Sequence, residues 1–493
     1  MIVVKAMHKT GKYQQLQMNL GGEWGPGSLP VSGRDVFSQR TGKVSQQWLS
    51  ACQKERTSTQ DMMERITDLS NLSAACRKVI KNGGSPGVDG MTTNDLREWF
   101  GLHHQQIAKS LLSGTYRPSP VKLVTIPKPS GGTRQLGIPT VIDRMVQQAV
   151  LQTLTRRYEP IFSESSYGFR PGRSAHQALQ EAGRNTSEGY RYCVDLDLEK
   201  FFDKVNHDRL MWQLSLRIGD SRLLSLIRQM LKSGMMVGGV VSQRISGTPQ
   251  GSPLSPLLSN IVLDELDKEL ELRGHRFVRY ADDLIIQVRS EESGNRVYSS
   301  IKKFIEERML LSVNEGKSKV CRCSSVNFLG HRILYDGGLG LSDPSEDRFK
   351  SKVRQITRRN RGVSFAQLVG EVNRLIRGWL NYFRHARMRS KLVSLTSWVC
   401  RRLRCFRLKQ CKRGKGITRF LVSCGIPKWR AILLGSSHKG WFRKSGSPPA
   451  HEAMSHAWFR QMGLILPTDY YRQVFRETAQ YESTLGGVRG RQS

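Results

Sequence analysis

From Asp61 onward, apolar residues recur at mostly three- and four-residue intervals: Met62, Ile66, Leu69, Leu72 and Ile80. This is the period of a helix with one buried face, and it predicts a helical run that the Gly-rich stretch NGGSPGVDG (82 to 90) breaks. In VKLVTIPKPSGGTRQLGIPT (121 to 140) the pattern becomes β-rich on both sides of Pro129-Ser130-Gly131-Gly132, which predicts a hairpin with Lys128 and Arg134 flanking its tip. Helical spacing returns at Val141, Met145, Ala149 and Leu154, with Asp143 near the start of that helix. Alternation through Tyr192, Val194, Leu196 and Leu198 then predicts a strand whose other face carries Asp195 and Asp197. HRFVRYADDLIIQV (275 to 288) reads as two short apolar strands joined at Ala281-Asp282, a hairpin with carboxylates at its tip. Farther on, FAQLVGEVNRLIRGWLNYF and KLVSLTSWVCRRLRCFRLKQ each give an apolar helical stripe and a basic remainder. Residues 1 to 60, rich in Gly, Gln and Ser, predict an extended or partly ordered arm to which no chemistry is assigned.

Composition narrows the class. A chain of 493 residues with 38% hydrophobic and 24% charged content has room for two to four packed units. Its 78 Lys and Arg against 41 Asp and Glu leave a net charge of +37, which calls for a polyanion, nucleic acid first. No apolar run reaches the ~18 to 20 residues of a spanning helix, and the start MIVVKAMHKTGKYQQ lacks the pattern of a secretory signal, so a cytoplasmic location with no membrane partner is expected. The nine cysteines, at 52, 76, 193, 321, 323, 400, 405, 411 and 424, form no Cys-x-x-Cys pair and are read as reduced thiols. Between Val372 and His451 stand 20 Lys and Arg with no Asp or Glu, more than half the net charge. Such a stretch repels itself unless a polyanion covers it, so RNA or DNA binding is expected there.

Acidic residues are depleted in strands, so Asp195 and Asp197 ask for a reason. On their own, the hairpin carboxylates Asp282 and Asp283 are equally well explained as turn formers. Taken together, the two elements suit phosphoryl transfer, which needs charge neutralisation more than covalent chemistry. Two Mg²⁺ ions about 3.5 to 4 Å apart, held by carboxylates from different strands, would supply it. Lys128 and Arg134 are either a solvated surface or a grip on a triphosphate. The stretch 82 to 90 lacks the Gly-Lys-Ser/Thr ending of a P-loop and reads as a connecting loop.

In order along the chain stand NGGSPGVDGM, YRPSPVKLVTIPKPSGGTRQLGIPTVIDRMVQQA, YGFRPGRSAHQAL, VDLDLEKFFDKVNHD, GTPQGSPLSPLLSNIVLDELD, RYADDLIIQV, LLSVNEGKSKV and FLGHRI. With these blocks the chain resembles the group II intron-encoded reverse transcriptases with their maturase domain, over about residues 65 to 465. The resemblance implies an α+β right-hand polymerase: fingers and palm over 61 to 345, with an antiparallel sheet carrying the Tyr-Ala-Asp-Asp hairpin. A helical thumb and maturase domain X would follow over 346 to 465, between an N-terminal extension (1 to 60) and a tail (466 to 493).

The resemblance makes Asp197, the Leu198 carbonyl, Asp282 and Asp283 the expected metal site for two Mg²⁺, with Mn²⁺ as a substitute, and Asp195 its structural neighbour. It places Lys128, Arg134, Phe202, Gln250 and Lys317 around the incoming dNTP, with Phe202 crowding a ribose 2′-hydroxyl. Phe328, Leu329 and Gly330 become the primer grip. Arg401, Arg402, Arg404, Arg407, Lys409, Lys412 and Arg413 become candidates for phosphate contacts, and Trp379, Tyr382 and Phe383 core residues. One departure is visible: Ser252 stands where the family's PQGG has its second glycine.

The expected activity is an RNA-directed DNA polymerase that binds group II intron RNA, assists its splicing and copies it into DNA during mobility. Its partners are then intron RNA, an RNA template with a DNA primer or target, and dNTPs, with nucleoid association in a bacterium when DNA is bound. The tail carries no Cys-rich HNH-type pattern, so target-strand nicking is not expected of it. The alternative is a domesticated reverse transcriptase serving repair or defence without an intron.

Overall fold

The structure is a computed structural model that describes residues 2–7, 13–18, 59–127, 133–237, 240–242, 247 and 251–475. In chain order it opens with two antiparallel strands, β1 (Ile2–Met7) and β2 (Tyr13–Met18). The helices α1 (Met62–Thr67), α2 (Leu69–Asn82) and α3 (Leu96–Leu112) come next. The single helical run expected from Asp61 is thus two helices. Asp68 adopts an extended backbone and its side chain accepts from the Ser70 amide at 2.9 Å, capping α2. Leu69, placed on the buried stripe by its spacing, is exposed beside that cap.

The predicted hairpin is β3 (Val121–Pro127) with β4 (Thr133–Ile138), paired from Lys122–Ile138 to Pro127–Thr133. α4 (Val141–Tyr158) follows, its N-terminus capped by the Thr140 hydroxyl. Asp143 collects the Tyr116 and Thr140 hydroxyls and the Ser119 amide, at 2.6, 2.7 and 3.1 Å. Burial nonetheless pushes its carboxyl up, since desolvation outweighs these bonds. Arg144 donates to the carbonyls of Gly83 and Ser85, so the Gly-rich loop is seated on the start of α4.

Beyond α5 (Ala175–Ser187) come β5 (Tyr192–Leu196), the short α6 (Phe201–Lys204), α7 (His207–Ser215) and α8 (Ser221–Lys232). Then follow β6 (Met235–Val237), β7 (Val240–Ser242) and α9 (Ser255–Leu272). β8 (Arg276–Tyr280), β9 (Asp283–Val288), α10 (Glu291–Glu307) and β10 (Lys319–Arg322) complete the central part. One four-stranded sheet has the order β4-β3-β6-β7 and a second the order β10-β5-β9-β8. The acid-bearing strands β5 and β9 are therefore neighbours.

The remaining elements are β11 (His331–Ile333), β12 (Leu339–Leu341), α11 (Asp343–Ile356), α12 (Phe365–Tyr382), β13 (Ala386–Arg387) and α13 (Arg389–Gln410). The chain continues through α14 (Gly414–Ser423), α15 (Lys428–Ser436), α16 (Trp441–Lys444), α17 (Pro448–Ala453) and α18 (His456–Gln461).

Contacts divide the chain into two compact units, one of residues 1–178, 194–286 and 295–319, the other of 179–193, 287–294 and 320–493. In the first unit, α4 and α9 are buried along most of their length, with Met145, Val146, Ala149, Val150, Leu258, Val262 and Leu266 in the interior. In the second, Leu368, Val372, Ile376 and Leu380 of α12 share one core with Leu392, Leu395, Val399 and Leu403 of α13. Both sets follow the helical period read from the sequence.

Candidate active site

β8 and β9 bury Phe277, Val278, Leu284, Ile285 and Ile286, and leave Asp282 and Asp283 exposed at the turn between them. Ala281 takes φ +60°, the left-handed region, which costs a residue with a Cβ about 1–2 kcal/mol. The turn is held from behind. Gly168 lies so close that a Cβ on it would collide with the Ala281 amide nitrogen.

Asp197 follows β5 directly and is fixed by the segment 312–318. Its amide donates to Ser318 Oγ at 3.0 Å, and its carbonyl accepts from the Asn314 amide at 2.8 Å. The Glu199 amide donates to the Ser312 carbonyl at 2.8 Å, and Leu198 bridges to Val313. Lys317 Nζ lies 3.4 Å from Asp197 Oδ2.

The acids here repel one another and are only partly offset by Lys317 and Lys319. Water reaches Asp283, but the protein packed around it, then the charges of Asp282, Asp195 and Asp197, push its carboxyl up to about 6 against the opposing pull of Lys317. Burial likewise raises Asp195, with Lys319 opposing and Asp197 adding to the rise. All the donors are hard oxygens, which suits a divalent ion of the Mg²⁺ kind. Among the described residues, no three His, Cys, Asp or Glu side chains already stand together as a ligand set, and Asp197 is turned to Lys317.

Phe202 is half-buried, its ring packed edge-on against Phe201 at 5.3 Å. Lys200, at φ +47°, turns the chain from Asp197 into α6. Gly247, at φ +85°, sits so close under α6 that a Cβ would come within 2.7 Å of the Phe202 carbonyl. His207 Nε2 bonds the Gly247 carbonyl at 2.7 Å, so Gly247 is anchored beside Phe202. Gln250 itself and Lys128 lie outside the described residues; Arg134 is described only as backbone in β4, paired with Ile126. Ser252 has a function the sequence did not disclose: its buried hydroxyl donates to Gln147 Oε1 at 2.7 Å and accepts from the Leu254 amide.

In the second unit, Phe328 and His331 exchange backbone hydrogen bonds of 3.0 and 2.9 Å across Leu329 and Gly330, both at positive φ. Two such residues in succession make a type I′ turn, where Gly330 is favoured and Leu329 is not. The turn is clamped: Tyr382 donates to the Leu329 carbonyl at 2.9 Å, and Ser342 and Ser345 donate to that of Gly330. Tyr382 is exposed and not the core residue expected, its ring lying at the surface with its hydroxyl on the Leu329 carbonyl, whereas Phe383 is buried.

Residues 126–333 match the family model "Reverse transcriptase (RNA-dependent DNA polymerase)", and residues 347–424 match "Group II intron, maturase-specific domain". Protein YkfC of Escherichia coli K12 is 31% identical over 355 residues, which cover 64% of this chain and 92% of that protein. The chain belongs to the group II intron-encoded reverse transcriptases. The group II intron-encoded protein LtrA of Lactococcus lactis is 32% identical over 295 residues, 46% of this chain and 49% of LtrA, so the match spans about half of that relative. Among solved structures, a chain of a partial Cas6-RT-Cas1--Cas2 complex matches with a TM-score of 0.33 and 27% identity, covering 50% of this chain and 42% of that chain.

The maturase-specific match contains the seven basic residues of α13 and its C-terminal end, and their side chains do not behave alike. Arg404 is buried: Nε donates to the Met454 carbonyl at 3.0 Å and the guanidinium faces His451, so, contrary to expectation, it is not placed to contact phosphate. Arg401 lies over the Phe442 ring at 4.0 Å and Arg407 over Phe420 at 4.3 Å, while Arg402 bonds Thr357 Oγ1 at 3.0 Å. Only Lys409, Lys412 and Arg413 of the seven are exposed, and Lys409 stands 5.1 Å over Trp441. Acids from outside 372–451 also reach in: Arg387 pairs with Asp336, Lys391 with Asp343 and Glu346, and Arg430 with Glu452. Among the described residues, no helix is long and apolar enough to cross a membrane.

Proposed function

We propose that this reverse transcriptase binds group II intron RNA, assists its splicing and copies it into DNA during intron mobility. It would work in the bacterial cytoplasm, and at the nucleoid when its target is DNA. The observation that carries the catalytic part is the set of like charges on one face, Asp195, Asp197, Asp282 and Asp283, with Asp283 pushed up to about 6 by its surroundings.

In the reaction, a primer 3′-oxygen forms a bond to the α-phosphorus of a dNTP as the bond to pyrophosphate breaks and the hydroxyl proton leaves. Two Mg²⁺, or Mn²⁺ in their place, bound to Asp197, the Leu198 carbonyl, Asp282 and Asp283 would neutralise the triphosphate and acidify the hydroxyl. Lys317, now beside Asp197, holds that carboxylate's charge in check and can turn to the nucleotide's phosphates. Phe202, propped by Phe201 and the Gly247 loop, closes the space a ribose 2′-hydroxyl needs. Lys128, Arg134 and Gln250 complete the dNTP site, and the clamped turn Phe328-Leu329-Gly330 grips the primer. Fingers and palm are assigned to 61–345, thumb and maturase domain to 346–465.

Primer extension on an RNA template, with filter binding of the intron RNA on the same preparations, tests the reading. The parent makes cDNA and Asp282→Ala makes none while holding RNA as before, because metal ligation and phosphate contact use different elements. Full-length cDNA from Asp282→Ala would sink the assignment. A folded intron in the DNA around the gene supports the mobility role, and its absence transfers the same polymerase to the domesticated reading.

A further inference from the structure

The buried residue Arg279, one position before the Tyr-Ala-Asp-Asp turn, has a set of partners that the polymerase reading leaves unused. It is 1% exposed, and its fork engages Asp267 through Nε at 2.7 Å and Nη2 at 2.5 Å. Nη2 also reaches Ser166 Oγ at 2.8 Å. Nη1 donates at 2.9 Å both to Asn260 Oδ1 and to the carbonyl of Ala281, the residue held at φ +60°. Asn260 in turn donates to the Gly168 carbonyl at 2.9 Å, and Gly168 is the residue whose lack of a Cβ lets it back onto the Ala281 amide. The Arg279 backbone closes the circuit, donating to the Ser165 carbonyl and accepting from the Tyr167 amide, both at 2.9 Å.

We propose that Arg279, aligned by Asp267 and Asn260, is a positioning residue that locks Ala281 in its left-handed conformation and so fixes where Asp282 and Asp283 project. The proposal rests on the polymerase reading of those two acids. An alanine does not hold φ +60° unaided, and the hairpin's own strands end at Tyr280 and Asp283. Three stretches distant in sequence, 163–168, 260–267 and 279–281, are tied at this one turn. A planar guanidinium suits the task because it can serve a carboxylate on one edge and two carbonyl oxygens on the other; an ammonium cannot.

The test compares the full-length parent with Arg279→Lys, Arg279→Lys combined with Ala281→Gly, and Asp282→Ala. Mn²⁺ binding is read by electron paramagnetic resonance, dTTP incorporation on poly(rA)/oligo(dT) by kcat and KM separately, and folding by thermal melting. Arg279→Lys is expected to weaken Mn²⁺ binding and lower kcat, each by about 10- to 100-fold, as loss of a group supporting metal ligands does. KM for dTTP should stay within about twofold, because the dNTP grip is elsewhere. Ala281→Gly in that background should recover most of the loss, since glycine adopts φ +60° without help. Parental Mn²⁺ binding in Arg279→Lys would overturn the proposal, as would a loss that follows melting temperature and is not recovered by glycine. Should Arg279→Lys fail to fold, Asn260→Ala keeps the Arg279–Asp267 pair and cuts the tie to Gly168. It should shift Mn²⁺ binding in the same direction, and an unchanged value there also overturns the idea. A parent that binds Mn²⁺ but makes no cDNA counts against the polymerase reading alone, since the binding comparison needs no turnover.

Discussion

The turn at Tyr280–Asp283 and the helix α13 both concentrate charge of one sign, yet they treat it in opposite ways. At the turn, buried strands deliver the acids to the surface, where Lys317 pairs with Asp197, and burial first and the neighbouring acids second keep Asp283 raised. Along α13, long side chains fold back on the protein, over Phe442 and Phe420 or onto Thr357 and Met454, so part of the charge is already spent. Asp282 and Asp283, by contrast, stay exposed at the turn. Arginine and lysine carry apolar stems and flat or mobile heads, and can be structural and charged at once. A count of like charges thus measures ligand-binding capacity for short acids better than for long bases.

The sharpest break of this comparison is on the acidic side. Asp197→Asn should remove primer extension altogether while changing the intron-RNA dissociation constant by no more than about twofold, as measured on one preparation. Retained synthesis would mean the acid cluster is not where the charge is used.

On the basic side, replacing Lys409, Lys412 and Arg413 together by Gln should make the slope of log affinity against log salt shallower by about 2, at ~0.7 per phosphate contact on single-stranded RNA. An unchanged slope would show that the three exposed bases are idle. Arg404→Met sets the contrast: a loss of about 1–3 kcal/mol of stability for a buried hydrogen-bonding group, with the salt slope left as it was. If the slope moves instead, Arg404 belongs with the phosphate contacts after all.

The smallest effect concerns Asp264 on α9, whose Oδ1 is buried without a hydrogen-bond partner and whose carboxyl is pushed up to about 7 by burial, then by Asp267. Its folded value lies above the ~3.9 of an unfolded chain, so the folded state holds this proton more tightly. Stability from this group is therefore full below about pH 4 and is lost as pH rises toward 7. Asp264→Asn should flatten that limb and raise the melting temperature at pH 8. A lower melting temperature at pH 8 would show that the charged form has a use.

Much of this was legible because it is local. The hairpins at 121–138 and 276–288, the strand carrying Asp195, and the helices over 365–382 and 389–410 follow from periods of two and 3.6 that any reader of the chain can count. The break at Asp68 was missed because a single capping carboxylate overrode an apolar spacing that runs through it. Ser252 looked like a departure from a glycine and is a buried donor, which requires knowing that Gln147 of α4 faces it. Tyr382 and Arg404 were misjudged in opposite directions for the same reason: side-chain polarity does not say whether the partner is water or a carbonyl of a remote segment.

By itself, then, the sequence determined the main hairpins, the acid-bearing strand and the long periodic helices, where the acids sit on them, and, through its ordered motifs, the family. Only the tertiary structure decided which charges are available. It tied 163–168, 260–267 and 279–281 around the turn at Ala281, and it laid Arg401 and Arg407 of α13 on the rings of Phe442 and Phe420, which lie on other helices. Backbone periodicity is encoded within a few neighbouring residues, whereas desolvation and pairing depend on whatever distant chain arrives to displace the water.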